Sequence, residues 1–169
     1  MSFFTNLRAD RLIAEIKAAD DSDGHKTSLE KLVRLGSSAI PRILDALASA
    51  DNRETAGFVA VLTALLDNKS FPAVASGLTQ GNQRTVAGAA TALSNSRNYP
   101  ANLLFGLLDQ PAMPKGTVVG ILTAQKSRLN ARDVLQRAYN QDAAEKAAMF
   151  RIVSEIADAS IVPELLSRL

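Results

Sequence analysis

Four basic side chains, Arg53, Arg84, Lys115 and Lys146, follow one another at intervals of 31 residues. Cations at a constant stride line up along one edge of a chain whose structure repeats at that stride. Such a row would hold an acidic protein surface or a phosphate backbone. Its chemistry is attraction rather than bond-making. Lys26 extends the series only at an offset of 27 residues. A second candidate is His25, the only histidine, which follows the acidic stretch of Asp20, Asp21 and Asp23. One imidazole supplies too little nitrogen for a transition-metal site. The aspartates also lack the glycine and the distal carboxylate that a calcium loop requires. A solvated loop capping a helix that starts at His25 is the expected structure there.

Other chemistries find little support. Glu30, Asp45, Glu54, Asp67, Glu145 and Glu155 are scattered singly, whereas acid–base catalysis wants paired carboxylates in one pocket. The nine glycines are isolated from one another and form no phosphate-cradling loop; no serine occupies a nucleophile elbow. With no cysteine, the chain has no disulfide, thiol nucleophile or thiolate ligand. Nineteen basic against seventeen acidic residues leave a net charge of +2, far from the strongly basic balance of a typical nucleic-acid binder. The first eight residues already contain charge, and no apolar run approaches the roughly 20 residues that cross a bilayer. A soluble cytoplasmic protein without a cofactor and without a membrane partner is the expectation.

The elements that must position the basic row are helices. Hydrophobic residues make up 47% of the chain but aromatics only 5%, so alanine and leucine carry the apolar content, which suits close helix packing. Proline returns at Pro41, Pro72, Pro100 and Pro163, with Arg132 in the one vacant place, at intervals of 31, 28, 32 and 31 residues. Each opens a leucine-rich stretch, as a residue tolerated only in a helix's first turn should. A period near 31 built from two helices is that of an α-solenoid.

The first hairpin is expected from Asn6 to Ala19, capped by Thr5 or Asn6, and from His25 to Leu35, stopped by Gly36. In the second, an A helix opens at Ser38 around Pro41, and a B helix runs from Arg53 to Leu66. The third pairs Phe71-Pro72 with Arg84–Leu93; the fourth pairs Tyr99-Pro100 with Lys115–Gln125. The fifth pairs Ala131-Arg132-Asp133 with Ala143–Ile156. Phe58 and Phe150 fall at core positions of their B helices. Glycines inside helices, Gly57, Gly77, Gly88, Gly106 and Gly120, are expected to let neighbouring helices approach closely. A sixth unit, from Ser160 through Pro163 to Leu169, holds one helix, with Leu166 and Leu169 at positions that elsewhere are core. A lone A helix cannot bury that face, which points to residues 1–169 as one repeat domain and the N-terminal part of a longer protein.

The pattern Pro-x-x-Leu-x-x-Leu, then an Asx turn and a basic residue, as in Asp51-Asn52-Arg53 and Asn82-Gln83-Arg84, resembles the HEAT repeat. The likeness covers nearly the whole chain, with Asp10 in the proline's place in the first hairpin. It departs in the fourth repeat, which lacks an acidic turn residue, and in the fifth, where Arg132 replaces proline. The resemblance implies an all-α, right-handed superhelix of five helical hairpins and a terminal half-repeat, with B helices lining a concave surface. That fold hosts transport receptors, phosphatase scaffolds, bilin lyases and DNA glycosylases, so it does not choose a function. A base-stacking glycosylase would be expected to offer tryptophan, which is absent. In repeats of this kind the basic residue also commonly binds the preceding turn, through Asp51, Asn82 and their equivalents.

The reading is a non-catalytic scaffold whose concave helix-B face binds a protein or another domain of the same polypeptide. Arg53, Arg84, Lys115 and Lys146 are its candidate partner-binding residues. A nucleic-acid or phosphate-binding module on the same row is the alternative, as is a regulatory domain of an enzyme whose catalytic part lies beyond Leu169.

Overall fold

A computed structural model describes residues 3–19 and 21–167. Among them every regular element is helical: eleven α-helices and four short 3-10 segments. They form two compact units, Met1–Tyr99 and Pro100–Leu169.

The first unit holds α1 (Phe3–Ala18), α2 (Ser22–Arg34), α3 (Ile40–Leu47), α4 (Asn52–Leu65), α5 (Phe71–Ala75) and α6 (Gln83–Asn95). Consecutive helices pair, α1 with α2, α3 with α4 and α5 with α6. Like also packs on like: α1, α3 and α5 succeed one another, as do α2, α4 and α6. Local chemistry sets most of the boundaries. Asp51 accepts from the Glu54 amide at 2.8 Å while Glu54 accepts from the Asp51 amide at 3.0 Å, a reciprocal cap that starts α4. Asn82 starts α6 by accepting from the amides of Arg84 and Thr85. Pro41 and Pro72 sit in the first turns of α3 and α5, where no intrahelical bond is lost.

The first hairpin departs from expectation at both helix starts. Thr5 and Asn6 lie inside α1 instead of capping it. The Asp-rich stretch does not hold α2 off until His25, because the Asp21 carboxylate caps the Gly24 amide and brings Ser22, Asp23 and Gly24 into the helix. The far end of α2 behaves as expected. The helix finishes at Arg34, and Gly36 takes φ +75°, the left-handed geometry that ends helices.

The core of this unit is built from Ile40, Ile43, Leu44, Leu47, Phe58, Leu62, Val74 and Leu93, all essentially without solvent contact. Each such side chain contributes about 1.5–3 kcal/mol of burial. Tyr99 closes the end of the unit. Its ring packs on Phe71 at 5.0 Å and its hydroxyl donates to the Leu93 carbonyl at 2.5 Å. Three of the helix glycines do what was expected of them: a Cβ on Gly57 would stand 2.9 Å from Leu29 Cδ1. A Cβ on Gly77 would stand 2.8 Å from the Ala89 Cβ, and one on Gly88 would stand 2.7 Å from Leu47 Cδ1.

Asp67 organises the turn before α5, its Oδ1 accepting from the amides of Ser70 at 2.7 Å and Lys69 at 2.8 Å. The Ser70 amide, with help from that serine's hydroxyl, holds the Asp67 carboxyl below the usual carboxylate range. The stabilisation therefore exists above the unfolded-state value, near pH 3.9, and is lost as pH falls through the lower folded value. Thermal melts of wild type and Asp67→Asn are expected to differ most above about pH 4 and to converge in stronger acid. A Tm difference that grew as the solution was acidified would contradict this role.

The second unit holds α7 (Leu103–Leu108), α8 (Lys115–Ala124), α9 (Ala131–Ala138), α10 (Ala143–Ile156) and α11 (Val162–Leu166). Here α7 pairs with α8, α9 pairs with α10, and α8 packs on α10. Pro100 is not in a helix. It lies three residues ahead of α7, in a turn closed by the Leu103 amide donating to its carbonyl. Arg132 can replace proline because Asn130 caps α9 through the amides of Arg132 and Asp133. Leu104, Val118, Leu122, Val134, Leu135, Met149 and Ile152 form the core. Phe150 is half-buried rather than central, meeting Tyr139 edge-on at 5.5 Å. Ion pairs join Arg137 to Asp109 at 2.6 Å, Lys126 to Glu155, and Arg132 to Glu164 at 3.6 Å. The glycine expectation fails in this unit: a Cβ on Gly106 or Gly120 would meet nothing within 4 Å. On α11, Leu166 is 63% exposed, while Leu169 lies outside the described residues.

Candidate docking face

Within the first unit, Arg53 and Arg84 are the second residues of α4 and α6, which pack against each other. Both reach backward. Arg53 donates through Nη2 to the Asp21 carbonyl at 2.7 Å and through Nη1 to the Ala19 carbonyl at 3.3 Å. Arg84 donates through Nη1 to the Ala50 carbonyl at 2.6 Å. The step from Arg53 to Ala19 and from Arg84 to Ala50 is 34 residues in each case. Asn82 repeats it, its amide reaching the Ala48 carbonyl at 3.4 Å. The guanidinium groups thus fasten each hairpin to the turn before it. Their acceptors are backbone carbonyls, not the Asp51 or Asn82 side chains that the sequence suggested. A fork of several N–H donors suits this task better than a single ammonium.

Lys115 and Lys146 belong to the second unit and behave differently. Lys115 is the first residue of α8, whereas Lys146 is the fourth of α10, so an equal stride in sequence has not given equal helical positions. Both are half-buried, and among the described residues neither side chain makes a hydrogen bond or ion pair. A cation at a helix N-terminus faces the positive end of the helix dipole, so neither lysine gains stability from its helix.

Replacing Arg84 with alanine is expected to lower the unfolding free energy by about 1.5 kcal/mol, the lower end for a hydrogen bond to a charged donor because the side chain is largely exposed. Urea melts of the two proteins check it. An unchanged midpoint would release this guanidinium from its structural task.

A groove that the sequence reading missed runs between α4 and α6. It consists of two adjoining hollows of about 350 and about 760 Å³ that share Ala56, Val59 and Thr91. Ala56, Ala60 and Ala64 come from α4 at four-residue steps, and Ala87 and Thr91 from α6 stand 31 residues past the first two. That signal was present in the sequence as small residues on the face opposite Phe58, Val61 and Leu62. The hydroxyls of Thr63 and Thr91 donate to their own helices, at the carbonyls of Val59 and Ala87, both at 2.8 Å. Their methyl groups are left to line the groove.

His25 is buried, its Nδ1 lying 3.4 Å from the Ile16 carbonyl. Its Nε2 would be 3.1 Å from a Cβ placed on Gly57. The ring fills a seam between α1, α2 and α4 instead of standing in a solvated loop. Asp21 is engaged in capping, and Asp20 lies outside the described residues. No cluster of three or more histidine and carboxylate side chains suited to a metal occurs among the described residues. Comparison with protein families, with curated proteins and with solved structures finds no match to this chain.

Proposed function

We propose that this chain is a non-catalytic helical-repeat scaffold of the HEAT type. Its helix-B face docks another protein or another domain of the same polypeptide. The observation that carries this reading is the α4–α6 groove. Two adjacent B helices turn a continuous run of alanine, valine and threonine methyl groups outward, while their bulky residues face the core. Small side chains let a partner's backbone come close, and contact over a broad surface supplies the affinity. The nucleic-acid reading is weaker, because among the described residues the floor of the groove carries no cation.

The test compares partner capture from a cell extract by wild type, by the groove variants Ala60→Arg and Thr91→Arg, and by Asp45→Arg on α3. All three positions are exposed, so the fold tolerates each change. Capture lost with both groove variants and kept with Asp45→Arg supports docking on this face; equal capture by all four proteins overturns it. A labelled oligonucleotide bound at low salt and released steeply as salt rises would favour the phosphate-binding alternative.

A further inference from the structure

We infer that the α4–α6 groove receives an acidic segment of a protein partner, with carboxylates at both ends of the segment. This rests on the docking reading above and makes it specific. Among the described residues, the charged ones lining the two hollows are Arg84, at the end near Ala50 and Asn52, and Arg97, at the end near Asn95 and Asn98. Among the described residues no carboxylate lines either hollow. The groove is cationic at its extremities and uncharged between them.

Its floor sharpens the choice. Because Thr63 and Thr91 spend their hydroxyl protons on their own helices, the middle of the groove offers methyl groups rather than donors. A phosphodiester backbone carries a charge at every nucleotide, and the middle of the groove offers it no cation. A peptide with apolar residues in its centre and acids at its ends matches both parts. Along α6 the distance from Arg84 to Asn95 is about 17 Å at 1.5 Å per residue, so a helical segment of about 12 residues spans it. Arg84 can serve partner and turn together. Its bond to Ala50 uses one of five guanidinium N–H donors, and the others can meet a carboxylate.

The probes are two fluorescent peptides of about 14 residues, each with a leucine and alanine centre, one ending in glutamates and the other in lysines, and a single-stranded DNA of similar length. Binding to the full chain is read by anisotropy at about 50 and 150 mM salt. The glutamate-ended peptide is expected to bind at least about tenfold more tightly than the lysine-ended one. Ala60→Glu, which sets a carboxylate in the exposed floor, is expected to weaken that binding by about tenfold, and Ala60→Lys to strengthen it. Equal affinities, no binding by either peptide, indifference to Ala60→Glu, or tighter binding of the DNA would each overturn the inference. If these peptides fail while the groove variants still abolish partner capture, the acidic segment is wrong and the docking face stands. If the groove variants leave capture untouched, both fall.

Discussion

Phe58→Ala is expected to lower the unfolding free energy of the first unit by about 3–5 kcal/mol. Phe58 has 0% exposure and lies on α4, which packs on α2, α3 and α6. The loss has two parts: the ring's burial energy, and the cavity left among helices that cannot fully close around it. Alanine is the best helix former, so the change does not weaken α4 itself and the effect reports packing alone. At about 4–8 °C per kcal/mol in a unit of roughly this size, Tm should fall by at least about 12 °C. Circular dichroism melts decide the matter. A fall of only a few degrees would mean that Phe58 is not at the centre of the unit's core. The periodicity of α4 gives this result functional weight, since Phe58, Val61 and Leu62 anchor the helix whose other face carries Ala56, Ala60 and Ala64.

Gly77→Val should damage the same unit by adding atoms. Its new Cβ would stand 2.8 Å from both the Ala89 Cβ and Leu44 Cδ2. Leucine can rotate away, but an alanine Cβ is fixed to its backbone, so α6 would have to shift. Overpacking of this kind costs about 1–3 kcal/mol. The displacement falls on a helix that forms one wall of the groove, so partner binding should weaken along with stability. Gly120→Ala serves as the contrast. With open space around it, the added methyl should stabilise α8 by about 0.5–1 kcal/mol through helix propensity alone. Urea unfolding of both variants checks the pair, and a neutral Gly77→Val would show that the 3-10 turn Ser76–Thr79 is not in tight contact with α6.

Much of the helical plan was legible because its signals are local. The carboxylate of Asp51 and the amides of Asn82 and Asn130 act on N–H groups two or three residues away. Pro41, Pro72 and Pro163 mark first turns for a reason internal to each residue. The misreadings at Asp21 and Pro100 are also local. A capped Asp-rich stretch and a proline-led turn both lie within what short sequence permits, and the surrounding packing selects between the outcomes. Reading the basic row was harder. Sequence spacing located Arg53 and Arg84 at equivalent points of α4 and α6, but not what they hold.

By itself the sequence determined that the chain is all-helical, where most helices begin, and which faces are greasy, because capping, proline geometry and hydrophobic period operate within about one turn. Tertiary structure alone decided that the two arginines grip carbonyls as far as 34 residues behind them and that His25 is buried. It also decided that Gly77 is crowded while Gly120 is free, and that α4 and α6 leave a groove with an arginine at each end. Each of these depends on which residues meet through space after the helices have packed, and no spacing along the chain carries that information.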